Sequence, residues 1–295
     1  MQSADFLSAV FFYLKEGENL NQNWIVENLN NAFSTWNGKL GELWGLVTTG
    51  PQTFKGGAVW SVMQTLHNGM VGIGYALVVL FFAISLCKNT MNFHELKRPE
   101  AAIHYFVRFV AAKALVGYGM DIMLNVFSIC NGIVTDMADS MGGISEAMVS
   151  LPAEMQTAIE NVGFLASIPL WLVTILGSLF ITVLSFVMIL TVYGRFFRLY
   201  MYTALAPLPL AAFAGESTQS VGISFLKSYV GVCLEGAVIV LACVIYSAFV
   251  STPTVASGEA TTIVWSYLAE TVFNMLVLVG LIKGSDRIIH EMMGL

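Results

Sequence analysis

The chain runs 32 residues without a charge between Gly56 and Cys87, and 34 between Asn161 and Gly194. A helix needs only about 20 apolar residues to cross the hydrocarbon core of a bilayer. Each run therefore predicts a crossing helix, and the same reading along the chain predicts five, at about 62–87, 103–134, 170–193, 228–249 and 262–282. Residues 201–214 are apolar but too short to cross, and Pro207 and Pro209 interrupt them. Irregular backbone at membrane depth is tolerated only where protein or water satisfies it, so this stretch is predicted to be re-entrant or interfacial, held out of a spanning helix by its prolines. The first 58 residues carry no span. Ile25, Leu29, Phe33, Trp36, Leu40, Leu43 and Val47 recur in steps of four and three, one face of a helix, with Glu27, Ser34 and Glu42 away from it. That helix either packs on its own bundle or lies in the membrane interface, where its flanking Trp24 and Trp44 are favoured.

The expected fold class is therefore all-α: a polytopic integral membrane protein with about five transmembrane helices, a re-entrant or interfacial segment and an N-terminal amphipathic helix. It divides into an extracytoplasmic segment, 1–58, and a transmembrane domain, 59–295. Composition agrees: charged residues are 11% of the chain and mean hydropathy is +0.75, against about 25% charged in soluble domains. Phe6–Leu14 is a short apolar run with no basic region before it, so no cleavable signal peptide is expected. Cys87, Cys130, Cys233 and Cys243 lie in or beside apolar runs without metal spacing and are expected to pack as small hydrophobes.

Loop charge sets orientation, because short cytoplasmic loops are rich in Lys and Arg. Lys88, Lys97 and Arg98 follow the first span. Arg195, Arg198 and Lys227 follow the third, and Lys283 and Arg287 close the chain. The loops 136–160 and 251–261 have no basic residue, and the first of them carries five acids, with Gly142, Gly143 and Pro152 breaking it into short pieces. Five spans alternate with this pattern if the N-terminus is outside and the C-terminus in the cytoplasm.

Five charges fall inside the spans: Arg108, Lys113, Asp121, Glu235 and Glu270. Each is costly in hydrocarbon and faces a bundle interior, an oligomer interface or a wet cavity. Lys113 and Glu235 enter their spans to a similar depth with opposite sign, so an ion pair between them is expected. Charges that tie helices together, a lining for a solute or polymer path, and a proton relay all remain open.

The chain has no phosphate-binding loop, zinc-protease helix or nucleophile elbow. His67, His94, His104 and His290 are scattered without ligand spacing. No catalytic residue, metal or cofactor is expected, so the chain is read as a non-enzyme. No basic stripe with interleaved aromatics suggests stable nucleic-acid binding.

The most distinctive stretch is YGRFFRLYMYTALAPLPLAAFAGESTQSVGISFLKSYVG, residues 193–231. Basic residues Arg195 and Arg198 follow a long span. Then come an apolar stretch with Pro207 and Pro209, a polar turn at Gly215, and Lys227 leading into the next span. On these residues and its layout the chain resembles the TrbL-like polytopic membrane subunits of type IV secretion and conjugation machines, most closely the compact form in Gram-positive conjugative elements. The resemblance implies a homo-oligomeric platform in the cytoplasmic membrane. It would help single-stranded DNA with its attached relaxase, or protein substrates, to cross, with membrane lipid, secretion ATPases, other conjugation-machine membrane subunits and a cell-wall hydrolase as partners. The acidic outer loop would repel phosphate, so any DNA passage is transient. A secondary transporter or channel for a small solute is the alternative. Broken helices and buried charges suit it, while the odd span count and the lack of repeated halves do not. A membrane enzyme with an unfamiliar site has no positive support.

Overall fold

In the computed structural model, the described residues are 2–90, 99–140, 148–162, 164–249 and 260–294. They are helical, with no strand among them. The helices are α1 (Gln2–Thr48), α2 (Ala58–Thr90), α3 (Pro99–Gly117), α4 (Gly119–Ser140), α5 (Ala153–Glu160), α6 (Phe164–Leu205), α7 (Pro207–Ala211), α8 (Gln219–Phe249) and α9 (Ala260–Met293). Two 3-10 turns, Phe54–Gly57 and Ala212–Ala214, lead into α2 and follow α7. Lys97, Arg98, Gly142, Gly143, Glu146 and most of the 251–261 loop lie outside the described residues.

Four stretches are long and apolar enough to cross a membrane: Phe54–Lys88, Ile168–Leu205, Gln219–Phe249 and Thr262–Met293. The fifth expected span is not straight. It divides at Tyr118 into α3 and α4, bent by 72°, and counts as a crossing only if the pair is one broken span. Gly117 and Gly119 flank the bend, and glycine is a weak helix former. The chain is an all-α polytopic membrane protein.

The third span also differs from expectation. α6 continues through Arg195 and Arg198 to Leu205. Its 42 residues span about 63 Å, twice the hydrocarbon thickness. The two arginines are thus helical residues, not part of a basic loop. Met201–Leu205 likewise belongs to α6, so the short element is confined to residues 206–214. Its cause is the expected one. Ala206 keeps helical dihedrals (φ −48°, ψ −41°), but Pro207 and Pro209 have no N–H to offer the carbonyls four residues back.

The chain forms two compact units. The first comprises Met1–Trp44, Gly142–Thr191 and Ala242–Lys283. Here the predicted stripe of α1 is buried from Ile25 through Leu43, while Glu27, Ser34, Gly38 and Gly41 are exposed. Trp24 meets Trp171 of α6 at 5.7 Å and Phe33 meets Tyr267 of α9 edge-on at 6.5 Å. Asn28 Nδ2 donates to Ser178 Oγ at 3.2 Å. Asn37 makes a two-point bond to the main chain of Val149, donating to its carbonyl at 2.7 Å and accepting from its N–H at 2.9 Å. Of the two readings of the stripe, packing on the protein's own helices is the one observed.

The second unit comprises Gly45–Met141, Val192–Leu241 and Gly284–Leu295. α7 and the 3-10 turn after it pack against α2 and α3. Two glycines mark the crossing. A Cβ at Gly74 would lie 2.9 Å from the Pro207 carbonyl oxygen, and one at Gly215 would lie 3.1 Å from that of Phe81. Gly74 and Phe81 are two turns apart on α2, so residues 207–215 run along α2 for about 10 Å. Pro207, Leu210, Ala211, Ala212 and Ala214 are buried there.

Candidate functional site

The second unit holds a group of charges that apolar helices would not carry without reason. Arg195 is fully buried. It cannot shed its proton, so its donors need acceptors. Nε donates to the Val232 carbonyl at 3.3 Å and Nη2 to that of Cys233 at 3.1 Å, both on α8. Nη1 donates to the Val47 carbonyl at 3.4 Å. Val47 is in the last turn of α1, where carbonyls lack helical partners and carry the negative end of the dipole. Asn131 Nδ2 takes the next one, Thr48, at 3.2 Å. The end of α1 is therefore closed by α4 and α6 side chains. The guanidinium lies against bare backbone: a Cβ at Gly236 would be 2.8 Å from its Cζ, Nη1 and Nη2. Cys130, Cys233 and Cys243 are buried as expected, but Cys87 is exposed; all four are free.

One turn along α6, Arg198 makes the ion pairs. Its Nη2 donates to both Glu235 carboxylate oxygens at 2.7 Å, and its Nη1 reaches Asp286 at 2.7 Å. Glu235 is 1% exposed and also accepts from Ser285 Oγ at 3.1 Å. α6, α8 and α9 are thus joined through one carboxylate and one guanidinium. The expected Lys113–Glu235 pair does not form. Lys113 is exposed on α3, and Glu235 has a nearer cation because α6 does not end at Tyr193.

The other intramembrane charges separate from this cluster. Arg108 is half-buried and donates to Gln219 at the start of α8. Asp121, Glu270 and Lys227 are exposed. Pro207 and Gly215 are buried and Pro209 half-buried in the short element. Ser285, Asp286 and Gly236 escaped the sequence reading. Ser285 and Asp286 stand in what reads as a polar tail, and only their place on a helix that continues past Ile282 brings them to Glu235.

His67 was also missed. It is 2% exposed, and its Nδ1 lies 2.7 Å from the Thr203 carbonyl oxygen. A carbonyl only accepts, so Nδ1 carries the proton. Thr203 is four residues before Pro207, and its carbonyl is the one that proline leaves without a donor. α2 thus supplies the hydrogen bond that the break in α6 removes.

The arrangement joins helices; among the described residues no cluster of three or more His, Cys, Asp or Glu could hold a metal ion. A family model described as TrbL/VirB6 plasmid conjugal transfer like protein matches residues 36–207. No curated protein and no solved structure matches the chain.

Proposed function

Because the chain belongs to the TrbL/VirB6 plasmid conjugal transfer family, we propose that it is the channel or scaffold subunit of a conjugative type IV secretion machine in the cytoplasmic membrane. In this reading it assists single-stranded DNA–relaxase or protein substrates across the bilayer and works as a homo-oligomer beside secretion ATPases and other membrane subunits. The observation that carries the reading is the family match, which runs from the last third of α1 to the first residue of α7. The proposal assigns the chain no catalytic step: nicking and ATP hydrolysis belong to partners. The ion-paired cluster supports a rigid platform, since it ties three helices without leaving a charge unmatched.

Deletion of the gene is expected to abolish transfer of the mobile element while relaxase nicking at the origin continues. Mating efficiency and nicking assayed in the same strain check this, and normal transfer by the deletion strain sinks the reading. The 72° break between α3 and α4 is what a solute-transporter reading would use. That reading expects normal mating and a lost uptake phenotype.

The proposed orientation keeps the N-terminus outside and the C-terminus in the cytoplasm. Arg195 and Arg198, satisfied within the bundle, no longer support it. Lys88, Lys227, Lys283 and Arg287 do. Single cysteines at Ser140, Glu216 and Gly294, in a background without the four native ones, test it with an impermeant maleimide on intact cells. Ser140→Cys is expected to label and the other two are not. The reverse pattern refutes the orientation.

A further inference from the structure

The broken α3–α4 pair carries two charges that the ion-paired cluster does not absorb. Lys113 is exposed on α3, one turn from Val110 and two from Phe106, both exposed and apolar. Asp121 is exposed at the start of α4. Neither makes an ion pair among the described residues. A lone Lys or Asp at the centre of a spanning helix is costly in hydrocarbon, so a pair of opposite sign left open on one candidate span is a double cost.

Asp121 stands in a cavity of about 550 Å³. Asn125, Ser128 and Asn131 of α4 line it with Leu124, Phe127 and residues 50–52. α4 itself explains the cavity. Its buried face is apolar, through Met123, Phe127, Cys130, Val134 and Ala138. Asp121, Asn125 and Ser128, at steps of four and three, are exposed beside it. The cavity's one charged wall residue is an acid, set beside the side chains of Asn125, Ser128 and Gln52 and the apolar Leu124 and Phe127. It matches an ammonium group on a long apolar stem, and Lys113 is such a group standing on an apolar face.

We propose that the Asp121 cavity of one copy receives Lys113 of a second copy, so that the broken span is the subunit interface. The contact is heterologous, with different patches meeting, and such contacts close into rings when the rotation permits. The inference rests on the homo-oligomer in the reading above and names the surface that forms it. It makes no claim about what the ring transports.

The test uses the full-length protein in nanodiscs and in native membranes. Lys113→Asp and Asp121→Lys are each expected to weaken self-association about tenfold or more, since like charges then meet across the interface. The double exchange is expected to restore it. Mass measurement of the intact assemblies reads the subunit number, and an unchanged melting temperature of the dissociated Lys113→Asp protein shows that the fold survives. In membranes, Val110→Cys with Gln52→Cys in a Cys87→Ser background, which leaves Lys113 and Asp121 in place, is expected to give a ladder with a short bifunctional thiol reagent that neither single cysteine gives. Lys113→Asp assemblies of wild-type size overturn the proposal and assign Lys113 to lipid phosphate. Failure of the exchange to restore assembly overturns it as well, as does the absence of a ladder. An intact Lys113–Asp121 ring with normal mating after gene deletion sinks the transfer reading alone.

Discussion

Replacing Arg198 with Met is expected to cost about 3–5 kcal/mol of stability, the usual loss when one partner of a buried ion pair is removed. Glu235 is 1% exposed, and without Arg198 it keeps, among the described residues, the Ser285 hydroxyl as its direct partner. The pair is not itself a source of that stability. Desolvating both charges offsets most of their attraction, so two apolar side chains of similar volume are expected to restore most of the loss. Arg198→Met with Glu235→Leu is that variant. Asp286 is 42% exposed, where an ion pair contributes about 1 kcal/mol or less, so Asp286→Asn is expected to fall in that range. Unfolding of the three variants in one detergent, followed by helicity, checks the order. A double variant as unstable as the sum of its single ones would contradict the account.

His67→Leu is expected to cost about 1–3 kcal/mol, the penalty for a buried carbonyl left without a donor. The loss depends on Pro207. With Pro207→Ala the chain regains an N–H four residues after Thr203, and helical dihedrals at Ala206 already aim it there. The Ala side chain also preserves the proline Cβ that packs at Gly74. In the Pro207→Ala background, His67→Leu is therefore expected to cost far less. The coupling falls in the range of about 0.5–3 kcal/mol typical of residues that share a partner. Equal losses in both backgrounds would show that His67 serves packing and not the proline break.

Much of this was legible from the residues alone. The stripe from Ile25 to Val47 appears as a buried face because a 3.6-residue period needs no tertiary knowledge. The charge-free runs give the spans for the same reason. The prolines gave the break because a missing donor is a local property. What failed was local in appearance only. Counting apolar residues ends the third span at Tyr193, since Arg195 looks like the first residue of a loop. It is inside because three carbonyls, 37, 38 and 148 residues away, accept its protons. The Lys113–Glu235 expectation rested on matched depth alone: Lys113 stands exposed on α3, and α6 runs past Tyr193 to bring Arg198 to Glu235. Asp286 and His67 had no signal of their own, being an acid in a polar tail and a histidine in an apolar run.

The order of synthesis gives Arg195 a waiting time. Val47 is already made when Arg195 leaves the ribosome, but Val232 follows 37 residues later. Glu235 trails Arg198 by the same interval. At about 5–20 residues per second, both guanidiniums spend roughly 2–7 s with α8 unmade. A charge without acceptors is not stable in hydrocarbon, so for those seconds the end of α6 belongs in water or in the insertion machinery, and its final seating awaits α8.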